Sequence, residues 1–434
     1  MSPVAAGIAG IVLLILLFLL RMPVAFAMAF VGLVGFTYLS GPVPALSLLA
    51  RDIFDQFSSY PLSVIPMFIL MGSFAYASGI SRRLYDAAYT WAGQLRGGLT
   101  IATVLACSGF AAICGSTAAT AATMGKVALP EMKRYHYNDT LATGTVAAAG
   151  TLGILIPPST VLIVYGLLTE ESIGRLFVAG ILPGVLLSIF FILTVFLICL
   201  RNPSYGPPGA PTMWKVKLKS LTGIIETAIL FALAIGGLFL GWFGPTQAGA
   251  IGAIGALIIG LARRELSWHK FVEASKDGLR TSCMVIFIIT GATVFGHFMA
   301  ISRIPFVLVE WLEGLALPAM GIVGIIVIIF FIGGFFMDSM ALIVLLIPIL
   351  FPILTAFGID LIWFGVIIVL VAEMGVITPP VGVNVFVIKG IAPDIPMETI
   401  FKGIFPFLGA LIICTIILMI FPQIATFLPS FARY

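Results

Sequence analysis

Apolar runs of membrane-spanning length follow one another through almost the whole chain, at 4–20, 23–40, 61–79, 139–169, 174–200, 221–240, 244–264, 278–301, 360–391 and 397–428. About 20 such residues carry a helix across the ~30 Å hydrocarbon core of a bilayer. An all-α multi-pass membrane protein is therefore expected. With 61% hydrophobic and only 9% charged residues among 434, a water-soluble globule could not hide its apolar surface. The 46 glycines and 26 prolines suit closely packed and interrupted helices better than a simple anchor. No basic residue precedes the first apolar run, which leads straight into a second, so it reads as a span and not as a cleaved leader.

Two runs, 139–169 and 360–391, are too long for one crossing. Each holds a proline pair near its middle, Pro157-Pro158 and Pro379-Pro380, which removes backbone donors and should break the span into two half-helices. Two further apolar stretches, 99–133 and 318–354, carry small and polar residues halfway: Gly115, Ser116 and Thr117 in one, Gly333, Gly334, Asp338 and Ser339 in the other. These read as re-entrant hairpins that enter and leave the membrane on one side. The polar segment 201–220, with Pro203, Pro207, Pro208, Pro211 and three lysines, is the linker that divides the chain. Cys107, Cys114, Cys199, Cys283 and Cys414 have no pair or metal spacing and read as small apolar residues, and three scattered histidines suggest no metal cluster.

The halves repeat. At an offset of 222, Pro23 meets Pro245, Pro130 meets Pro352, Gly153 meets Gly375, and the two proline pairs coincide; one residue later, Gly180 and Pro183 meet Gly403 and Pro406. Glycine and proline constrain the backbone, so their coincidence outweighs any match of leucine or valine. The expected units are residues 1–200 and 221–434. Each crosses five times, and an odd number inserts the second upside down relative to the first, the inverted-repeat plan of secondary transporters. Charge places both termini outside. Of the 22 lysines and arginines, only Arg51, Arg175, Arg303 and Arg433 then fall outside, as the excess of cytoplasmic Lys and Arg requires.

An unwound backbone at membrane depth is tolerated where it lines a cavity or binds something. Free carbonyls at helix breaks, together with hydroxyl and carboxylate oxygens, provide the hard ligands a sodium ion takes. Two symmetric sodium sites are expected. Their candidate ligands are Cys114, Gly115, Ser116, Thr117, Gly150, Gly153, Ile156, Pro158, Gly334, Met337, Asp338, Glu373, Gly375 and Thr378, and the candidate solute contacts are Ser116, Thr117, Ser159, Ser339, Thr378 and Asn384. Plainer readings stand beside these. Asp338 and Glu373 are functional by default as intramembrane carboxylates, or they cap a broken helix. The 114–120 run is ordinary small-residue packing if no hairpin is present. Arg82 and Arg83 read as snorkelling side chains and Lys389 as a topology charge.

The strings Gly-Phe-Phe-Met-Asp-Ser-Met-Ala (334–341), Pro-Ile-Leu-Phe-Pro (348–352), Glu-Met-Gly-Val-Ile-Thr-Pro-Pro-Val-Gly-Val-Asn (373–384) and Gly-Ile-Leu-Ile-Pro-Pro-Ser (153–159) resemble those of the large membrane subunit of tripartite ATP-independent periplasmic (TRAP) transporters. The resemblance covers essentially the whole chain. One departure is Cys114-Gly115-Ser116-Thr117, where the family often has Ser-Gly-Ser-Ser; it removes a hydroxyl from the first hairpin tip. The resemblance implies an elevator, in which hairpins and broken helices slide against a scaffold, joined to it by amphipathic arms near 81–96 and 302–316. It also implies a Gram-negative inner membrane, a separate small membrane subunit, a periplasmic binding protein and a carboxylate solute. A fused small subunit would not fit in 434 residues.

No G-x-x-x-x-G-K-[ST] loop is present, so an ion gradient and not ATP is the expected driving force. Sodium is preferred over protons because only two carboxylates sit at membrane depth, neither chained to another titratable group. The alternatives are a stand-alone ion-coupled carboxylate carrier, a channel, and an intramembrane enzyme, the last disfavoured for want of any catalytic constellation. No organic cofactor and no nucleic-acid partner are expected, and the sequence does not name the solute.

Overall fold

The computed structural model describes residues 1–209, 211–315 and 317–431; Arg433, counted among the outside charges, and Ala316, at the end of the expected second arm, lie outside them. In the first half the helices are α1 (Pro3–Leu19), α2 (Val24–Ser40), α3 (Pro42–Ser58), α4 (Val64–Ala77), α5 (Ile80–Ala92), α6 (Gly98–Cys114), α7 (Thr117–Arg134), α8 (Asp139–Ala149), α9 (Leu152–Leu155), α10 (Thr160–Thr169) and α11 (Ile173–Arg201). The second half holds α12 (Trp214–Ser220), α13 (Thr222–Phe231), α14 (Gly237–Phe239), α15 (Pro245–Ala262), α16 (Trp268–Ser302), α17 (Ile304–Gly314), α18 (Ala319–Gly333), α19 (Ser339–Ala356), α20 (Leu361–Ile377), α21 (Val383–Ile391), α22 (Met397–Ile420) and α23 (Gln423–Thr426). Among the described residues, seven helical segments are at once long and apolar enough to cross a membrane. Five further apolar helices have 15 to 17 residues.

Helix starts follow local chemistry. Ser2, Asn138, Ser172, Ser267 and Asp360 each turn a side-chain oxygen onto an orphan backbone N–H of the turn they precede. Helix bounds coincide at the 222 offset: α7 runs from 117 to 134 and α19 from 339 to 356, and the broken run 139–155 aligns with α20 at 361–377. Where the halves differ, the sequence explains it. Pro61 and Pro66 follow a polar stretch, and α3 bends by 55° into α4. The aligned positions in the second half form one continuous 35-residue helix, α16. The linker is also less irregular than expected, since its last residues form α12.

The two interrupted segments sit innermost. Every residue of α20 from Ile362 to Ile377 is buried, as is every residue of α8 from Leu141 to Ala149. Neighbouring helices cover both on all sides, and α20 accordingly reads as an almost continuous apolar run, while α8 is built of small residues. Around them α1, α11, α13, α15, α18 and α22 expose one apolar face each, among them Ile15, Ile189, Ile229, Ile258, Ile328 and Ile413, as helices bordering lipid do.

Arg83 corrects a sequence expectation. Its guanidinium does not snorkel: it donates to Glu226 of α13 through Nε at 3.0 Å and Nη2 at 2.7 Å, and to Glu265 through Nη1 at 2.7 Å. Arg263 reaches the other Glu226 oxygen. The start of α5 is thereby fixed to α13 and to the end of α15. Glu226→Ala removes the carboxylate shared by two guanidiniums, leaving Arg83 with Glu265 alone, and breaking a largely buried pair costs on the order of 3 kcal/mol. The thermal midpoint in detergent is expected to fall by several degrees, while Glu131→Ala, on an exposed pair at 4.0 Å, leaves it unchanged.

Candidate functional site

The tip between α6 and α7 is made by Gly115 and Ser116. Gly115 takes φ +65°, a left-handed conformation open to glycine, and a Cβ there would lie 2.8 Å from the Pro158 carbonyl oxygen. Its own carbonyl accepts from Thr160 Oγ1 at 2.9 Å, so the tip is tied to the break between α9 and α10. Ser116 caps α7 through the Ala119 N–H. The tip presses on Gly153, where a Cβ would stand 2.5 Å from the Ser116 carbonyl oxygen and 2.6 Å from Thr120 Oγ1. At the repeat mate, Gly375, a Cβ would stand 2.4 Å from Gly334 Cα at the end of α18. In both halves, then, a hairpin tip and a broken helix meet at a glycine that has no room for a side chain.

Glu373 joins the tips. It is 1% exposed, accepts from Thr117 Oγ1 at 2.9 Å through Oε2, and accepts from Ser339 Oγ at 2.6 Å through Oε1. Thr117 and Ser339 are the first residues of α7 and α19 and are repeat mates. Asp338, one residue earlier, caps α19 by accepting from the Ala341 N–H at 2.9 Å.

These elements border a cavity of about 510 Å³. Its floor includes Cys114, Ser116, Thr117, Asp338, Ser339, Glu373 and Asn384, and its far wall is α4 and α16, with Ser73, Tyr76, Asp277 and Thr281. Among the described residues it is lined by three carboxylates, Asp277, Asp338 and Glu373, against one cation, Lys126. Two buried oxygens beside it lack any partner, Thr120 Oγ1 and Asn384 Oδ1. Asn384 Nδ2 is used, donating to the Ala147 carbonyl at 2.9 Å across the two halves.

Of the candidate solute contacts, Ser116, Thr117, Ser339 and Asn384 border the cavity, and of the other candidates Cys114, Asp338 and Glu373 do so too. Ser159 and Thr378 do not: Ser159 accepts from the Leu162 N–H as the cap of α10, and Thr378 Oγ1 donates back to the Met374 carbonyl. Ile156 packs toward Gly184 of α11 and Pro158 sits behind the first tip, so each offers backbone and not side chain. Gly150 packs against Ala121 and Asn384, and Met337 is half-buried in the second tip. Lys389 lies outside the cavity, donating to the Pro393 and Ile395 carbonyls. Lys126, Asp277, Ser73 and Thr120 were not singled out as site residues from sequence; each sits on a helix face that only tertiary packing turns inward.

Buried broken helices and glycine-seated tips beside a half-open cavity that carries acids and hydroxyls are the architecture of a membrane transporter. The fold is similar to that of the Alcanivorax borkumensis YdaH transporter, with a TM-score of 0.67 at 17% identity, covering 88% of this chain and 89% of that one. Residues 11–424 match the family model of the tripartite ATP-independent periplasmic transporter, DctM component, and the chain belongs to that family. It is 36% identical over 387 residues to the C4-dicarboxylate TRAP transporter large permease protein DctM of Pseudomonas aeruginosa, covering 88% of this chain and 89% of the relative. It is also 35% identical to the isethionate TRAP transporter permease protein DctMQ of Oleidesulfovibrio alaskensis, where it covers 89% of this chain but 61% of that longer protein. The protein is thus a multi-pass transporter permease and not an enzyme.

Proposed function

We propose that this chain carries a small organic anion inward together with sodium ions, as the large subunit of a binding-protein-dependent TRAP transporter. The cavity supports the reading. Three acidic side chains against one ammonium favour cations in the cavity, so a negatively charged solute is best accommodated together with cations. Thr120 Oγ1, the Ser116 carbonyl and the break after α8 converge on Gly153 in the first half; Asp338 and the carbonyls around Gly334 and Gly375 converge in the second. Each group offers the hard oxygens of a sodium site. A volume near 510 Å³ suits a small organic acid, and both named relatives carry anions.

The two halves are inverted repeats and α6–α7 and α18–α19 are re-entrant hairpins on this reading. With α8–α10, α20 and α21 they form the moving body, α4 and α16 belong to the scaffold, and α5 and α17 are the connecting arms. Both termini face the periplasm of a Gram-negative cell. A small membrane subunit braces the scaffold and a periplasmic binding protein delivers the solute, a division supported by the longer DctMQ relative, which extends well beyond the region this chain matches.

The deciding experiment is uptake into proteoliposomes holding this chain and its small subunit. A panel of dicarboxylates, sugar acids and sulfonates is offered with binding protein outside, and a sodium gradient is imposed or collapsed. Uptake is expected only with both; uptake without sodium overturns the coupling, and uptake without binding protein points to a stand-alone carrier.

A further inference from the structure

The geometry assigns Glu373 a role distinct from ion binding: we propose that it is the positioning residue that ties the two hairpin tips together, so that the state of one ion site reaches the other. The proposal rests on the sodium-coupled reading above and adds a route by which two sites act as one.

Three observations carry it. Each carboxylate oxygen of Glu373 holds the hydroxyl of a different hairpin, Thr117 at 2.9 Å and Ser339 at 2.6 Å. Those hydroxyls open α7 and α19 and are related by the 222-residue repeat, so the carboxylate lies where the symmetric halves meet. Its own repeat mate is Thr151, whose hydroxyl turns back to the Ala148 carbonyl. The second half therefore provides one carboxylate for both tips and the first half provides none. Among the described residues no lysine, arginine or histidine pairs with it within 4.0 Å.

A carboxylate is a rigid plane. When an ion draws in the first turn of α7, Thr117 Oγ1 moves, the plane turns about the Glu373 side chain, and the acceptor offered to Ser339 turns with it. At 2.9 and 2.6 Å both bonds lie within the normal range for a hydroxyl on a carboxyl oxygen, and in a buried site neither is exchanged for water, so the link resists stretching. An amide keeps the tie, since Gln accepts through its oxygen and donates through its nitrogen to a hydroxyl; a methyl group does not.

The test uses the full chain with its small subunit. Uptake against sodium concentration is measured for wild type, Glu373→Gln and Glu373→Ala. In parallel, Cys283→Ser removes the exposed cysteine, and spin labels at Ala119 and Phe336, both exposed, report the distance between the tips. The wild type is expected to show a Hill coefficient approaching about 2, the number of sites, and one narrow distance. Glu373→Gln keeps both. Glu373→Ala drops the coefficient to about 1 and broadens the distance. Where that variant does not accumulate, Thr117→Val removes one donor and gives the same pair of readings. An unchanged coefficient and distance in both variants overturns the tie. A loss of sodium affinity in Glu373→Gln with an unchanged coefficient makes Glu373 an ion ligand and overturns it equally. Sodium-independent wild-type uptake with broadening confined to Glu373→Ala sinks the coupling ion and leaves the tie standing.

Discussion

Replacing Gly375 by valine is expected to lower uptake about a hundredfold while the protein still folds and reaches the membrane, and Gly153→Val is expected to do the same from the other half. At Gly375 a Cβ would stand 2.4 Å from Gly334 Cα and 2.5 Å from Gly334 C, backbone atoms that no rotamer change can move aside. At Gly153 the obstacles are the Ser116 carbonyl at 2.5 Å and the Thr120 hydroxyl at 2.6 Å. The substitution must push the tip off its broken helix by an ångström or so. Overpacking of this kind costs about 1–3 kcal/mol, within the reach of a large buried core. If ion ligands gather there from two elements, as proposed above, a displacement near 1 Å is another matter, worth about a hundredfold in a process that needs those groups aligned. The measurement pairs initial uptake rate with the thermal midpoint of the purified variant. A collapse of the midpoint that parallels the loss of uptake would assign both glycines to folding alone.

Those glycines were legible in the sequence, because position 153 and position 375 recur at one offset with the proline pairs. So were the interruptions: the break expected at Pro157-Pro158 lies between α9 and α10, and the one expected at Pro379-Pro380 lies between α20 and α21. Backbone constraints of Gly and Pro are local, and local physics can be read along a chain. What was not legible depended on which helix face turns inward. Lys126 and Asp277 look like any charges near a span end until α7 and α16 are set facing one another across a cavity. Arg83 looked like a snorkelling residue because its partner, Glu226, lies 143 residues away. Ser159 and Thr378 carry hydroxyls at helix breaks, and packing turns them to the helix's own orphan N–H or carbonyl and away from the cavity lining. The tie at Glu373 needed both kinds of information, since the repeat names Thr117 and Ser339 as mates and only the fold shows them sharing one carboxylate.

Asp338 is the second position where a substitution is expected to abolish uptake, and here the capping and ion-binding roles separate by chemistry. The side chain accepts from the Ala341 N–H at 2.9 Å and so satisfies one of the orphan donors that open α19. Asn is as good an N-cap as Asp, and Ala is worse by about 1 kcal/mol. Asp338→Asn therefore keeps the cap and removes the charge, whereas Asp338→Ala removes both. If the carboxylate faces the cavity only as the by-product of capping, Asn transports normally and Ala is mildly impaired. If the charge is what settles a cation beneath the solute, Asn and Ala are equally inactive, with uptake down about a hundredfold or more at sodium concentrations that saturate the wild type, as the loss of a charged ligand worth several kcal/mol implies. The second outcome is expected, because Asp338 lines a cavity that holds two other acids and one lysine. Capping alone gives no reason to place a third negative charge there, since the first hairpin caps α7 at the equivalent position with neutral Ser116. Sodium titrations of the two variants decide the matter: activity restored to Asp338→Asn by high sodium would mean the charge raises ion affinity, and activity retained at low sodium would return Asp338 to the helix it caps.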